Sequence, residues 1–248
     1  MCRLLGVLSA TPGDLAEQLG ADLSRFAELS HTHCDGWGLA YWNAQDDLVT
    51  AKYPEPAQGS ERFQAAVEAA FTDAALLHLR KASKNMANQM DNTHPFVAGS
   101  LAFAHNGYLA PLSALDELVS EAGGRPSVGA TDSERYFNLV LARLGESGPV
   151  QALHEAAELI IDAAEVVSLN CLLLTHDALY ASARYDEKVV LARGQELDLY
   201  ELRYRVTPDH VAVASSGWSQ PAPWAALRNG EILEVRRHDL RTSVHSLR

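Results

Sequence analysis

The first ten residues, MCRLLGVLSA (1–10), set the terms on which the remaining chain is read. Leu4, Leu5, Val7 and Leu8 make a nearly continuous apolar run, which suits a strand covered on both faces, and residues 2–9 are predicted as one. Cys2 stands directly behind the initiator methionine. Loss of Met1 would leave one residue holding a thiol and a free α-amino group, a nucleophile beside a base. A start codon followed by an apolar strand accounts for the same ten residues without chemistry. The choice between the two rests on the other residues.

The chain has 248 residues, of which 47% are hydrophobic and 21% charged, as in a globular protein with a substantial core. No linker rich in Pro, Gly and Ser divides it, so residues 1–248 are expected to form a single domain. The formal net charge is −12, from 32 acidic and 20 basic side chains. Such a surface argues against nucleic-acid and anionic-membrane partners, which select for Lys and Arg patches. The three cysteines, Cys2, Cys34 and Cys171, are an odd and sparse set. They do not read as a disulfide framework, and a reducing cytoplasm is the expected location. The apolar start resembles a signal peptide, but Pro12 and Asp14 follow it at once.

Thr11-Pro12 is predicted to open a helix through Phe26. WGLAYW (37–42) and LVTAKY (48–53) read as a hairpin, and FQAAVEAAF (63–71) has helical spacing. In the strand AALLHLRKA (74–82), period two puts Leu76, His78 and Arg80 on one face. A polar loop leads to a second strand, SLAFAHN (100–106). Helices are predicted from Pro111 to Gly123-Gly124, and over 132–164 with a break at Gly148-Pro149. VVSLNCLLLT, ALYASARY, KVVLA, VAVASS and EILEVRR read as later strands. Strands, helices and strands again, without regular βα alternation, indicate a layered α+β fold.

Several polar groups have two readings each. Asn106-Gly107 suits a tight hairpin turn, or an Asn amide and a backbone N–H that stabilise one oxyanion. Arg80 ends a strand that reads as buried, so its guanidinium requires a carboxylate from within the protein or from a ligand. Thr131-Asp132-Ser133-Glu134 matches a capping box, with Asp132 an anion in the first helical turn. His31, His33, Cys34 and Asp35 are metal-ligand types, yet no second pair follows at zinc-site spacing. His94-Pro95 fixes a loop, and Cys171 reads as a core thiol.

Cys2, DGWG (35–38), HLRKAS (78–83), NTHPF (92–96), AHNG (104–107) and TDSE (131–134) follow one another in an ordered series. The series resembles the class II glutamine amidotransferase family, the cysteine branch of the N-terminal-nucleophile hydrolases, and most of all its short stand-alone bacterial members. The resemblance implies a four-layer αββα sandwich and a glutaminase-type domain over 1–248. It implies Cys2 as the nucleophile with its own α-amino group as base, and Asn106 and Gly107 as the oxyanion pair. Arg80 matches the residue that grips the α-carboxylate of glutamine, and Asp132 the one that receives the α-ammonium. Ser83, His94, Asp35, Gly36 and Trp37 are implied around the bound amino acid. Neither metal nor organic cofactor is implied. The substrate is expected to be glutamine or another γ-glutamyl small molecule, and a separate synthase subunit is a candidate acceptor of the ammonia. Cleavage of a γ-glutamyl metabolite or peptide by this chain alone is the alternative, and a non-catalytic amino-acid sensor the rival. Cys34 departs from the family pattern by placing a thiol next to DGWG, and Lys81 differs from many relatives.

Overall fold

The computed structural model describes residues 1–83 and 86–246. Strand β1 (Arg3–Asp14) leads into helices α1 (Leu15–Leu19) and α2 (Ala21–Glu28). The hairpin β2 (Gly36–Trp42) and β3 (Leu48–Tyr53) follows, then α3 (Glu61–Glu68) and β4 (Phe71–Arg80). After a polar loop come β5 (Phe96–Ala98), β6 (Leu101–Ala110), α4 (Leu112–Glu121) and the long α5 (Asp132–Ala163). The last part comprises β7 (Glu165–Leu174), β8 (Ala178–Ala183), α6 (Glu187–Ala192), β9 (Leu202–Val206), β10 (His210–Ser215), β11 (Ala225–Leu227), β12 (Glu231–Arg236) and β13 (Thr242–Ser246).

The strands form two antiparallel sheets, one in the order β11-β9-β10-β1-β4-β2-β3 and the other β13-β12-β8-β7-β6-β5. Leu4, Leu8, Ala74 and Leu76 from the first sheet pack against Ala102, Ala104, Leu172 and Leu179 from the second, so the sheets lie face to face. Leu5, Val7, Leu77 and Leu79 on the outer face of the first sheet bury Leu15, Phe26 and Phe63 of α1, α2 and α3. Phe103, Leu169 and Leu173 on the outer face of the second meet Leu115, Tyr136, Leu153 and Ile160 of α4 and α5. The result is the expected αββα sandwich. Strand β1 sits between β10 and β4 with both faces covered, which is why its sequence runs apolar rather than alternating.

Three element assignments are corrected. Thr11-Pro12 does not open a helix: β1 continues to Asp14, and Leu15 is the first helical residue. The segment 63–71 is helical only to Glu68, because Phe71 already belongs to β4 and pairs with Asp14. KVVLA (188–192) is helix, not strand, since Asp186 caps α6 by accepting the N–H groups of Lys188 and Val189. Gly148 carries the kink in α5 at φ 74°, as its pairing with Pro149 indicated. The capping box is also only half formed. Thr131 Oγ1 accepts the Glu134 N–H, but the Glu134 carboxylate reaches to Val128 N–H (2.9 Å) and Gly129 N–H (2.7 Å).

Candidate active site

Three neighbouring strands of the first sheet end together. Register places Leu4 opposite His78 and Arg3 opposite Leu79, so Cys2, one residue further, lies beside Arg80. Gly36 flanks Arg80 from the other side. The two-residue period puts Cys2 on the face of Leu4, Arg80 and His78 on the face of Leu76, and Asn106 on the face of Ala104. All of these faces meet between the sheets. One end of the inter-sheet layer is therefore polar: a thiol, a guanidinium and an amide.

The half-buried Cys2 thiol lies against the Lys81 backbone. Its Sγ accepts the Lys81 N–H at 3.4 Å and faces the Lys81 carbonyl at 3.7 Å. Burial raises the thiol pKa, opposed by the adjoining α-ammonium, the Lys81 N–H and Arg80. Burial also lowers the pKa of the α-ammonium at Met1. Both shifts favour an uncharged amine and thiol over an ion pair.

The Arg80 side chain is 2% exposed. Among the described residues it donates only to uncharged oxygens: Asn88 Oδ1 at 2.8 Å, the Ala87 carbonyl at 3.2 Å and the Asp35 carbonyl at 3.4 Å. The internal ion pair that the sequence allowed is not formed among the described residues. A buried guanidinium held by neutral groups is disposed to accept a carboxylate from a ligand. Asp35 Oδ2 accepts the Ala82 N–H at 2.8 Å, and its Oδ1 receives Asn88 Nδ2 at 3.3 Å. Asp35 and Asn88 thus brace the loop behind Arg80. Asn88 carried no signal in sequence, being one of several amides in a polar loop.

Asn106 and Gly107 lie inside β6, opposite Asn170 and Leu169, so the hairpin-turn reading is corrected. Asn106 is buried, yet among the described residues neither its Nδ2 nor its Oδ1 has a partner. Gly107 has no room for a side chain, because a Cβ would overlap the Ser168 carbonyl oxygen. Asp132 is tied to the same strand: its Oδ2 accepts the Leu109 N–H and its Oδ1 the Ser133 N–H, both at 2.8 Å.

His94 is buried, with its ring centroid 4.0 Å from that of His78. Its backbone crosses so close to β2 that a Cβ at Gly38 would overlap the His94 carbonyl oxygen, while one at Gly36 would stand 3.2 Å from Thr93 Cγ2. The glycines of DGWG are there to admit the NTHPF loop. Trp37 is placed differently from the rest: its ring packs on Phe63 and Tyr53 in the outer core, on the opposite face from Cys2. Ser83 is exposed on the loop after β4. Among the described residues no three His, Cys, Asp or Glu side chains gather as metal ligands. Cys171 is buried in the outer core beside Tyr136, its thiol pushed up to about 12 by burial.

The family description "Glutamine amidotransferases class-II" matches residues 1–247. The chain belongs to the class II glutamine amidotransferases. Its fold is similar to that of a glutamine aminotransferase class-II domain protein from Silicibacter pomeroyi, at 20% identity and TM-score 0.69, with 99% of each chain covered. A predicted glutamine amidotransferase from Pseudomonas aeruginosa aligns at 19% identity and TM-score 0.58, over 96% of this chain and 99% of that one. The glutamine phosphoribosylpyrophosphate amidotransferase of B. subtilis aligns at 18% identity and TM-score 0.67. There 98% of this chain covers 49% of the other, so this amidotransferase spans about half that enzyme's length. No curated protein matches the chain. No helix among the described residues is long and apolar enough to cross a membrane.

Proposed function

We propose that this amidotransferase family member cleaves the γ-glutamyl amide of glutamine or of a γ-glutamyl compound through a thioester on Cys2, the chain 1–248 acting as one glutaminase-type domain. The observation that carries the reading is the buried Arg80 guanidinium beside Cys2, held among the described residues by neutral oxygens and so available to a substrate carboxylate.

The chemistry requires Cys2 to bear the free α-amino group. That amine accepts the thiol proton and the thiolate attacks the γ-carbonyl carbon. Charge develops on the carbonyl oxygen, and the unpartnered Asn106 amide with the Gly107 N–H is the donor pair on hand. The C–N bond breaks as the α-ammonium passes its proton to the leaving amine. Water then adds to the thioester, releases glutamate and restores the thiol. Arg80 reads the α-carboxylate and Asp132 the α-ammonium, while Asp35, Gly36, His94 and Ser83 shape the surrounding loops. Trp37 acts from the core behind them. The amine formed is ammonia from glutamine, passed to a synthase partner or released. A reducing cytoplasm keeps Cys2 a thiol.

Intact mass before and after treatment with 6-diazo-5-oxo-norleucine, an electrophilic glutamine analogue, tests the reading. Loss of Met1 and one adduct on Cys2 is expected. Met1 retained in protein from the native host would remove the base and overturn the mechanism, leaving the amino-acid sensor.

A further inference from the structure

The Met1 side chain is not loose at the chain start. It packs into an apolar cluster with Val167, Val190, Tyr200, Leu197 and Leu199, residues of β7, α6 and the turn before β9. Val167, Val190 and Tyr200 are each no more than 2% exposed. The cluster adjoins the polar end of the inter-sheet layer: Asn170 Nδ2 donates to the Tyr200 carbonyl at 2.5 Å, and Asn170 is the cross-strand neighbour of Asn106. Tyr185, at its edge, also lines a surface cavity of about 450 Å³.

The position of this cluster follows from chemistry as well as from packing. Met1 is joined to Cys2 through the nitrogen that becomes the catalytic amine. That nitrogen must reach the leaving amine to protonate it, at about 2.6–3.2 Å. The substituent on the leaving amine therefore starts from nearly the same point as the Met1 side chain and meets the same walls.

We infer that the site vacated by Met1 is a leaving-group subsite, and that the substrate is a γ-glutamyl amide of an apolar amine, such as a γ-glutamyl dipeptide with an aliphatic or thioether residue. The inference rests on the hydrolase reading above and specifies its substrate class. Ammonia would leave the subsite unfilled, so glutamine forgoes the burial that a larger leaving group obtains.

The test compares kcat/KM of Met1-free protein for glutamine, γ-glutamyl-glycine, γ-glutamyl-leucine and γ-glutamyl-methionine. The leucine and methionine compounds are expected to exceed glutamine and the glycine compound by about tenfold to a hundredfold. Val190→Ala should shrink that ratio, and the comparison on the parent protein stands even if the variant folds poorly. Equal turnover of all four compounds, or preference for glutamine, overturns the subsite and leaves the hydrolase intact. Hydrolysis of none of them, in protein shown to lack Met1, overturns the hydrolase reading itself.

Discussion

Replacing Asn106 with alanine should move stability and turnover in opposite senses. The Asn106 amide is buried with both polar atoms unpartnered among the described residues. A polar group left in that state costs about 1–3 kcal/mol of folding free energy. Truncation to alanine removes the cost but opens a cavity of roughly 40 Å³, worth about 1 kcal/mol at about 24 cal/mol per Å³. The balance is a protein unchanged or more stable by up to about 2 kcal/mol. If the amide is an oxyanion donor, kcat on the best γ-glutamyl substrate falls by about 10²–10³, or roughly 2.7–4 kcal/mol of transition-state stabilisation. Urea titration measures the first quantity and steady-state kinetics on Met1-free protein the second. Destabilisation beyond about 2 kcal/mol would show that Asn106 is a structural hydrogen-bonding residue after all. Turnover within about threefold of the parent would remove it from the oxyanion site.

Arg80→Lys keeps the charge but loses the planar fork, and kcat/KM should drop by about 10²-fold or more because the bidentate grip on a carboxylate is lost; kinetics on γ-glutamyl substrates check this. Gly38→Ala drives a Cβ into the His94 carbonyl oxygen and should cost about 1–3 kcal/mol in a denaturant titration. Acid should destabilise the fold. Burial lowers the pKa of His78, His94 and His105, and that of His33 to about 4. Each is kept neutral in the folded chain, while the unfolded chain takes up a proton below about pH 6.5, so stability is intact above that value and falls below it. His33 alone accounts for about 2 kcal/mol near pH 5, and thermal melting across pH 7 to 5 reads the combined loss.

Much of this protein was legible as motif order. The apolar β1 was legible as a strand, and the period-two faces of β4 already set Arg80 on a definable face, because side-chain direction in a strand follows from position alone. Short-range readings failed where a neighbour outside the motif decided the outcome. KVVLA has the composition of a strand, but the Asp186 cap makes it helix. Asn106-Gly107 has the composition of a turn, but pairing with β7 holds it extended. Glu134 is spaced for a capping box, but its carboxylate accepts the N–H groups of Val128 and Gly129 instead. The polar loop gave no reason to single out Asn88, whose two hydrogen bonds connect Arg80 to Asp35.

The sequence by itself determined which functional groups are present, their order and the strand face that Arg80 occupies. It left open whether Arg80 would find an internal carboxylate, whether Asn106 would be satisfied, and what Met1 would touch. Those outcomes depend on the meeting of two sheets and on α6 and the turn before β9 closing beside the chain start. Burial and partnership are properties of pairs distant along the chain. Only the packed structure brings Cys2, Arg80 and Asn106 to one end of the inter-sheet layer and puts an apolar wall beside them.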